Sequence, residues 1–101
     1  MSKIGVVAKI PCQPGKRADA AAALTEVVEA TKEESGTVLY ILHEDSKDEN
    51  LLWMYELYDD QAALDSHMTS AAFGAMFAKL GELVSGRAEM NFLTPVTGKG
   101  L

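Results

Sequence analysis

The chain has little cysteine, histidine or positive charge. Cys12 is the only cysteine among 101 residues, which excludes a disulfide framework and a metal site built from several thiolates. The 2 histidines have no second-ligand pattern beside them, so we expect no metal site. The formal net charge is −6, and no cluster of lysine or arginine is present. This charge balance argues against binding to nucleic acid or to an anionic membrane surface.

Long apolar runs are also missing. No segment approaches the roughly 20 apolar residues that a bilayer-spanning helix needs, and the first residues lack the charged-then-apolar pattern of a secretion signal. We therefore expect a cytoplasmic protein. The length suits a single domain over residues 1–101, in which residues 96–101 form either a flexible tail or an arm that reaches a second subunit.

Hydrophobic periodicity divides the rest of the chain into strands and helices. Short runs rich in β-branched and aromatic residues predict strands, and longer segments with helical spacing predict helices. The first half should hold a strand over 3–10, a helix over 17–35 capped by Gly36, and strands over Thr37–Glu44 and Leu51–Tyr58. The second half should hold a helical region over 61–86 and a strand over 87–96. Asp59 or Asp60 caps the helical region, which is broken at 69–70. The order β-α-β-β-α-β is that of the α+β ferredoxin-like fold, with an antiparallel sheet and both helices on one face.

The predicted third strand is apolar on both faces. Leu52, Met54, Glu56 and Tyr58 point one way and Leu51, Trp53, Tyr55 and Leu57 the other. Two helices can cover only one face of the sheet, and an uncovered apolar face would be an association site. We therefore expect a homodimer that packs the two sheets together through the side that carries Leu51, Trp53 and Tyr55.

The segment "ELYDDQAALDSH", from Glu56 to His67, resembles the signature of the antibiotic biosynthesis monooxygenase family. "QPGK" before the first helix and "EESGTVLY" before the second strand are similar to the corresponding family segments. The resemblance implies a dimeric α/β barrel in which each subunit holds its own pocket between sheet and helices. Several relatives oxidise quinols or polycyclic phenols with O₂ and without metal, flavin or haem, so the resemblance implies no cofactor. Other relatives degrade haem, and one branch isomerises a small phosphorylated dione.

The candidate catalytic residues are His67, Tyr58 and Glu56. His67 is either a structural histidine bonded to a carboxylate or carbonyl, or a general base at the mouth of the pocket. The resemblance places Tyr58 in the pocket and Glu56 with it, since the two share a face. A buried Glu56 needs a partner, which we expect to be His67, with Arg17 or Arg87 as alternatives. The Tyr58 hydroxyl could donate to a substrate oxygen, or its ring could serve as an aromatic lid.

A second set of residues combines apolar or aromatic character with positions that face the helices. Each is either core or pocket wall, and the two overlap in this fold. The candidate substrate-binding residues are Tyr40, Met54, Phe73, Met76 and Phe77.

The resemblance favours a cofactor-independent monooxygenase acting on a small quinol-like or polycyclic phenolic substrate, which itself carries the reducing power for O₂. The residues are compatible with this function: aromatic and methionine side chains for the wall, His67 as base and Tyr58 as donor. Haem degradation is disfavoured by the resemblance, since Phe77, Ala8 and Tyr58 stand where those relatives have histidine, asparagine and tryptophan. Two alternatives remain. The first is an isomerase of a small phosphorylated dione, which would need cationic anchors for the phosphate; Lys9, Arg17 and Arg87 are the candidates. The second is a non-catalytic domain that binds an apolar small molecule.

Overall fold

The computed structural model describes residues 3–101. Its elements, in chain order, are β1 (Ile4–Pro11), α1 (Arg17–Thr31), β2 (Thr37–Glu44), β3 (Leu51–Tyr58), α2 (Gln61–Met68), α3 (Ala71–Leu80) and β4 (Glu89–Leu93). None of the helices in residues 3–101 combines the length and the apolar character needed to cross a bilayer.

One antiparallel sheet holds all four of these strands, in the order β2-β3-β1-β4. Strand β1 therefore lies in the centre, between the hairpin partner β3 and the last strand β4. The arrangement confirms the ferredoxin-like fold, with the second helical region divided into α2 and α3. The predicted break at 69–70 is confirmed too, because the Ser70 hydroxyl accepts the backbone N–H of Phe73 and so begins a new helix.

Several element boundaries differ from the sequence prediction. Strand β1 is shifted by one residue, to Ile4–Pro11, and the second helical region ends at Leu80 instead of 86. Helix α1 ends at Thr31, four residues early, because residues 32–36 form tight turns that return the chain to the sheet. Strand β4 covers only Glu89–Leu93 instead of 87–96. The N-cap of α2 is Asp60, whose carboxylate accepts the Ala63 backbone N–H at 2.9 Å.

Gly36 does not cap α1, contrary to the prediction. Lys32 occupies the C-cap position, and Gly36 lies against α2, where an added Cβ would come within 2.5 Å of the Ala63 Cβ. Its carbonyl accepts the backbone N–H of Asp59 at 2.9 Å. The glycine is therefore needed for a close approach between the α1–β2 turn and α2.

The helices cover one face of the sheet and form the core there. The buried apolar residues of this cluster come from β1, the residue directly after it, α1, β3 and α3. They are Ala8, Ile10, Cys12, Ala20, Leu24, Val27, Leu52, Met54 and Met76. A smaller cluster of Val6, Tyr58 and Leu64 lies under α2. Glu56 shares this face with Met54 and is itself buried, so the strand alternation places a carboxylate inside the core layer.

The opposite face of the sheet carries no helix in residues 3–101. Leu39, Ile41, Tyr55 and Leu93 are each at least 37% exposed there. Ile41 and Tyr55 form a directly opposed cross-strand pair in the β2–β3 ladder. The prediction that the sheet is apolar on both faces is therefore confirmed for the strands β2 and β3 that motivated it.

Candidate active site

A cavity of about 750 Å³ lies between the helix-facing side of the sheet, helix α3 and the chain that follows α3. All five side chains predicted to bind substrate line it: Tyr40, Met54, Phe73, Met76 and Phe77. Phe77 is 69% exposed and so stands at an open side of the cavity. Tyr40 and Met54 line it from the sheet, and Phe73, Met76 and Phe77 line it from α3. That these residues bind substrate stays a prediction.

Glu56 is the acidic side chain in this lining. The residue is 4% exposed, and its Oε1 accepts a hydrogen bond from the Tyr58 hydroxyl at 2.5 Å. Burial raises the pKa of Glu56 from its ordinary value of 4.5 to about 7, although the Tyr58 hydrogen bond acts in the opposite direction. A carboxyl group with a pKa close to neutral pH can both accept and return a proton, which is the property of a general base.

Tyr40 places a hydroxyl beside this carboxyl group. Burial raises the pKa of Tyr40, and the negative charges of Glu56 and Glu34 raise it further. The phenol is therefore protonated at any physiological pH. Within residues 3–101 its hydroxyl makes no hydrogen bond, which leaves it available to a molecule in the cavity.

His67 is not at the mouth of the cavity. It is 1% exposed, and among residues 3–101 it is absent from the cavity lining. The imidazole lies behind Tyr40 and Phe73, with ring centroids 4.8 Å and 5.4 Å away. Of the two alternatives for His67, the structure therefore shows the structural histidine bonded to a carboxylate and not a residue at the pocket mouth.

The partner predicted for His67 was wrong. Its Nδ1 lies 3.0 Å from Oε1 of Glu34, which also accepts the Thr37 hydroxyl at 2.7 Å. Its Nε2 is buried and has no hydrogen-bond partner in the described part of the chain. Because a carboxylate oxygen can only accept, Nδ1 of His67 donates in this bond.

Tyr58 is likewise placed differently from the prediction. It is 0% exposed and is absent from the cavity lining formed by residues 3–101. Its hydroxyl donates to Glu56 and is not free to donate to a substrate. Tyr58 therefore fixes the orientation of the carboxyl group, and the side chain that can reach a bound molecule is Glu56.

The cations proposed as phosphate anchors are scattered. Arg17 donates to the backbone carbonyls of Asp45 and Asp48 and so fastens the β2–β3 loop. Lys9 lies on the opposite face of the sheet, with its Nζ 5.8 Å from the centre of the Trp53 ring. Only Arg87 of the three lines the cavity.

Several residues of this region escaped the sequence interpretation. Glu34 belongs to a turn, where no periodicity assigns a direction to a side chain, so its contact with His67 gave no signal. Met90 could have been found, because alternation along β4 places it opposite Ala8 on the helix-facing side. Met68 and Met90 add two flexible thioethers to the lining.

No three His, Cys, Asp or Glu side chains within residues 3–101 converge on a point that could hold a metal ion. The groups of the lining that can exchange protons or bind charge are Glu56, Tyr40 and Arg87.

The role of Glu34 can be tested by removing its carboxylate. We expect Glu34→Ala to lower the free energy of unfolding by about 1–3 kcal/mol, because it leaves a ring nitrogen of the buried His67 without its partner. Urea unfolding followed by circular dichroism measures the change. Glu33→Ala is the matched control, since Glu33 is exposed and should change stability by less than about 0.5 kcal/mol. Equal effects of the two variants would contradict a structural Glu34–His67 pair.

The antibiotic biosynthesis monooxygenase family model matches residues 3–79 of the chain. Rv0793 of Mycobacterium tuberculosis, provisionally named a monooxygenase, is 30% identical over 95 residues, which are 94% of this chain and 93% of that protein. An uncharacterized protein of Synechocystis is 28% identical over 87 residues, or 86% of this chain, and the match spans 59% of its length.

Solved structures of related proteins indicate the same family as the sequence comparison. The structure of Rv0793 superposes with a TM-score of 0.89 at 29% identity, covering 96% of this chain and 98% of the other. A structure from Caulobacter crescentus, provisionally named for the same family, has a TM-score of 0.90 at 29% identity and covers 95% and 92%. The chain therefore belongs to the antibiotic biosynthesis monooxygenase family.

Proposed function

We propose that the protein is a monooxygenase that oxidises a small quinol-like or polycyclic phenolic substrate with O₂ and without metal, flavin or haem. The observation that carries the proposal is Glu56, a carboxyl group with a pKa of about 7 on the wall of an apolar cavity. Phenols ordinarily have a pKa of about 10, so a positioned base is needed to generate the electron-rich phenolate at neutral pH.

The reaction balances with the substrate as the reductant. The Glu56 carboxylate removes a phenolic proton, and the phenolate transfers one electron to O₂. The resulting superoxide and phenoxyl radical combine to form a bond between oxygen and a ring carbon, and protonated Glu56 returns its proton to give a hydroperoxide. Loss of the proton from that ring carbon with cleavage of the O–O bond leaves a quinone carbonyl and one molecule of water.

The neighbouring tyrosines have separate roles in this scheme. Tyr58 is a positioning residue, because its hydroxyl holds the Glu56 carboxyl group through the 2.5 Å hydrogen bond. Tyr40 can donate its free hydroxyl to the substrate oxygen, where negative charge develops when the proton leaves. The apolar remainder of the lining lowers the polarity around these groups, which strengthens both interactions.

The lining is a poorer match to a phosphorylated dione. A phosphate group would call for several cations, and Arg87 is the one cationic side chain that residues 3–101 contribute to the cavity. In the haem-degrading relatives the resemblance implies a histidine at the position of Phe77, which here contributes a phenyl ring to the lining. An aromatic substrate uses the apolar surface and the single carboxyl group without further requirements.

The assembly that we propose is a homodimer joined through the helix-free face of the sheet. Leu51, Trp53 and Tyr55 lie on this face, on the side away from the cavity. Pairing this face between two chains would cover the exposed apolar residues of β2 and β3 while each cavity stays with its own subunit.

The test is O₂ consumption by the purified protein with 1,4-naphthohydroquinone, measured with an oxygen electrode in the presence of a metal chelator. We expect uptake of one O₂ for each quinone product with a hydroxyl added, above the rate of autoxidation without protein. Incorporation of ¹⁸O from ¹⁸O₂ into the product, measured by mass spectrometry, separates oxygenation from simple oxidation to the quinone. Binding without any accelerated uptake across a panel of hydroquinones and phenols would leave a non-catalytic binding domain and refute the proposal.

A further inference from the structure

Two charged residues line the cavity, Glu56 and Arg87, and their backbone positions lie toward opposite ends of β1. Glu56 pairs with Val6, near the beginning of β1. Arg87 follows a loop that is fastened to the end of the same strand, where the Ser85 backbone N–H donates to the Pro11 carbonyl at 3.0 Å. Val6 and Pro11 are separated by about 16 Å along the strand, at a rise of about 3.3 Å per residue.

The surface between these ends is apolar. Ala8 and Ile10 of β1 and Met54 of β3 face the cavity along the interval that separates the two charges, and Met76 and Leu80 line it from α3. A molecule that contacts both charged ends must therefore be long and mainly apolar, with polar groups at its two extremities.

Arg87 is available to such a molecule. It is exposed, and within residues 3–101 its guanidinium makes no ion pair and no hydrogen bond with the protein. The other arginine, Arg17, is engaged by two backbone carbonyls and lies 3.5 Å from a carboxylate oxygen of Glu44. The chain has a net charge of −6 and attracts few anions elsewhere. A guanidinium that residues 3–101 leave without a protein partner, on the wall of an apolar cavity, can therefore bind an anion specifically at this place.

We propose that the substrate carries a carboxylate at the end remote from the oxidised phenol, and that Arg87 binds this carboxylate. The inference rests on the proposed function and narrows its substrate class to elongated aromatic acids. The planar guanidinium presents paired N–H groups that match the two oxygens of a carboxylate, which adds orientation as well as affinity. Arg87 is then a specificity residue: it fixes which end of the substrate lies against Glu56.

Binding can be tested without turnover. Rhein and chrysophanol are three-ring hydroxyanthraquinones that differ in one substituent, a carboxylate in rhein and a methyl group in chrysophanol. We would measure the affinity of both for the wild-type protein and for Arg87→Gln by isothermal titration calorimetry at low ionic strength. The ratio of the rhein affinity to the chrysophanol affinity should fall at least fivefold in the variant. A fall of about this size corresponds to the loss of one charge-assisted hydrogen bond at a partly exposed site.

Two further variants locate the effect. Lys47→Gln removes the same charge from an exposed position in the β2–β3 loop and should leave the ratio unchanged, because only the long-range field changes. Arg87→Lys should retain part of the preference through its charge and lose the part that depends on paired hydrogen bonds.

A fall of less than threefold in Arg87→Gln, an equal fall in Lys47→Gln, or failure of the wild-type protein to bind either compound would overturn the assignment. Both probes are already quinones and need no oxygenation. Absence of O₂ uptake would therefore refute the proposed reaction and leave the carboxylate preference standing, whereas loss of the preference alone would leave the reaction standing.

Discussion

Replacing Glu56 by glutamine should lower the rate of O₂ consumption with a hydroquinone by about 100-fold or more, which is the usual contribution of a positioned general base. Glutamine keeps the size of the side chain and can still accept the Tyr58 hydrogen bond through its amide oxygen, but it cannot take a proton. The cavity and the fold should therefore survive while the chemistry is lost. The measurement is kcat from initial rates of O₂ uptake at saturating substrate. Glu49→Gln, the same change at an exposed loop position, should retain full activity.

The pH dependence of the wild-type rate gives an independent test of the same residue. Only the carboxylate form of Glu56 can act as base, so activity should be present above a pH of about 7 and fall as the pH decreases through that value. Tyr58→Phe should move the midpoint upward, because the hydrogen bond that it removes lowers the pKa of Glu56. A rate that is flat between pH 6 and 8, or an active Glu56→Gln variant, would remove Glu56 from the mechanism.

Stability should depend on pH with a definite sign. The pKa of Glu56 is higher in the folded chain than its ordinary value of 4.5, so the protonated form favours folding. This contribution is complete below a pH of about 4.5 and is lost as the pH rises through about 7. At pH 8 the buried carboxylate should cost up to about 3 kcal/mol, and Glu56→Gln should be more stable than the wild type there, but not at pH 4.

The fold could be predicted because its signals are local. The limits of strands β2 and β3 were predicted correctly from their apolar content and from the polar loop between them. The order of strands and helices along the chain then indicated the ferredoxin-like fold. The end of α1 could not be predicted in this way. The residues after Thr31, "KEES", favour a helix by propensity, but the chain must turn there so that Thr37 can pair with Tyr58 in the sheet, and this tertiary requirement prevails.

The site was only half predictable for a related reason. Alternation places Glu56 and Tyr58 on one face as neighbours two positions apart, so their hydrogen bond could be expected from the sequence. The partner of His67 could not, since Glu34 is separated from it by more than thirty positions and lies in a turn. Sequence reasoning therefore included the carboxyl group among the candidates but assigned the base to the histidine, whose burial only the packing of Tyr40 and Phe73 reveals.

The helix-free face of the sheet leads to the last prediction, that Ile41→Glu combined with Tyr55→Glu converts a dimer into a monomer. These two side chains oppose each other across β2 and β3 and are 43% and 38% exposed in the single chain. In a face-to-face dimer each would be desolvated against the partner sheet, and two carboxylates buried there without cations would raise the dissociation constant by at least 100-fold.

Sedimentation velocity at micromolar concentration distinguishes the outcomes, because the monomer is 10.9 kDa and the dimer twice that mass. Ala22→Glu with Thr25→Glu adds the same charge on the exposed side of α1 and should leave the dimer intact. The double sheet variant should also keep its secondary structure, since neither side chain belongs to the core under the helices. A wild-type protein that sediments at 10.9 kDa, or a sheet variant that still dimerises, would show that this face is not the interface. The apolar residues of β2 and β3 would then have to be covered by a different partner.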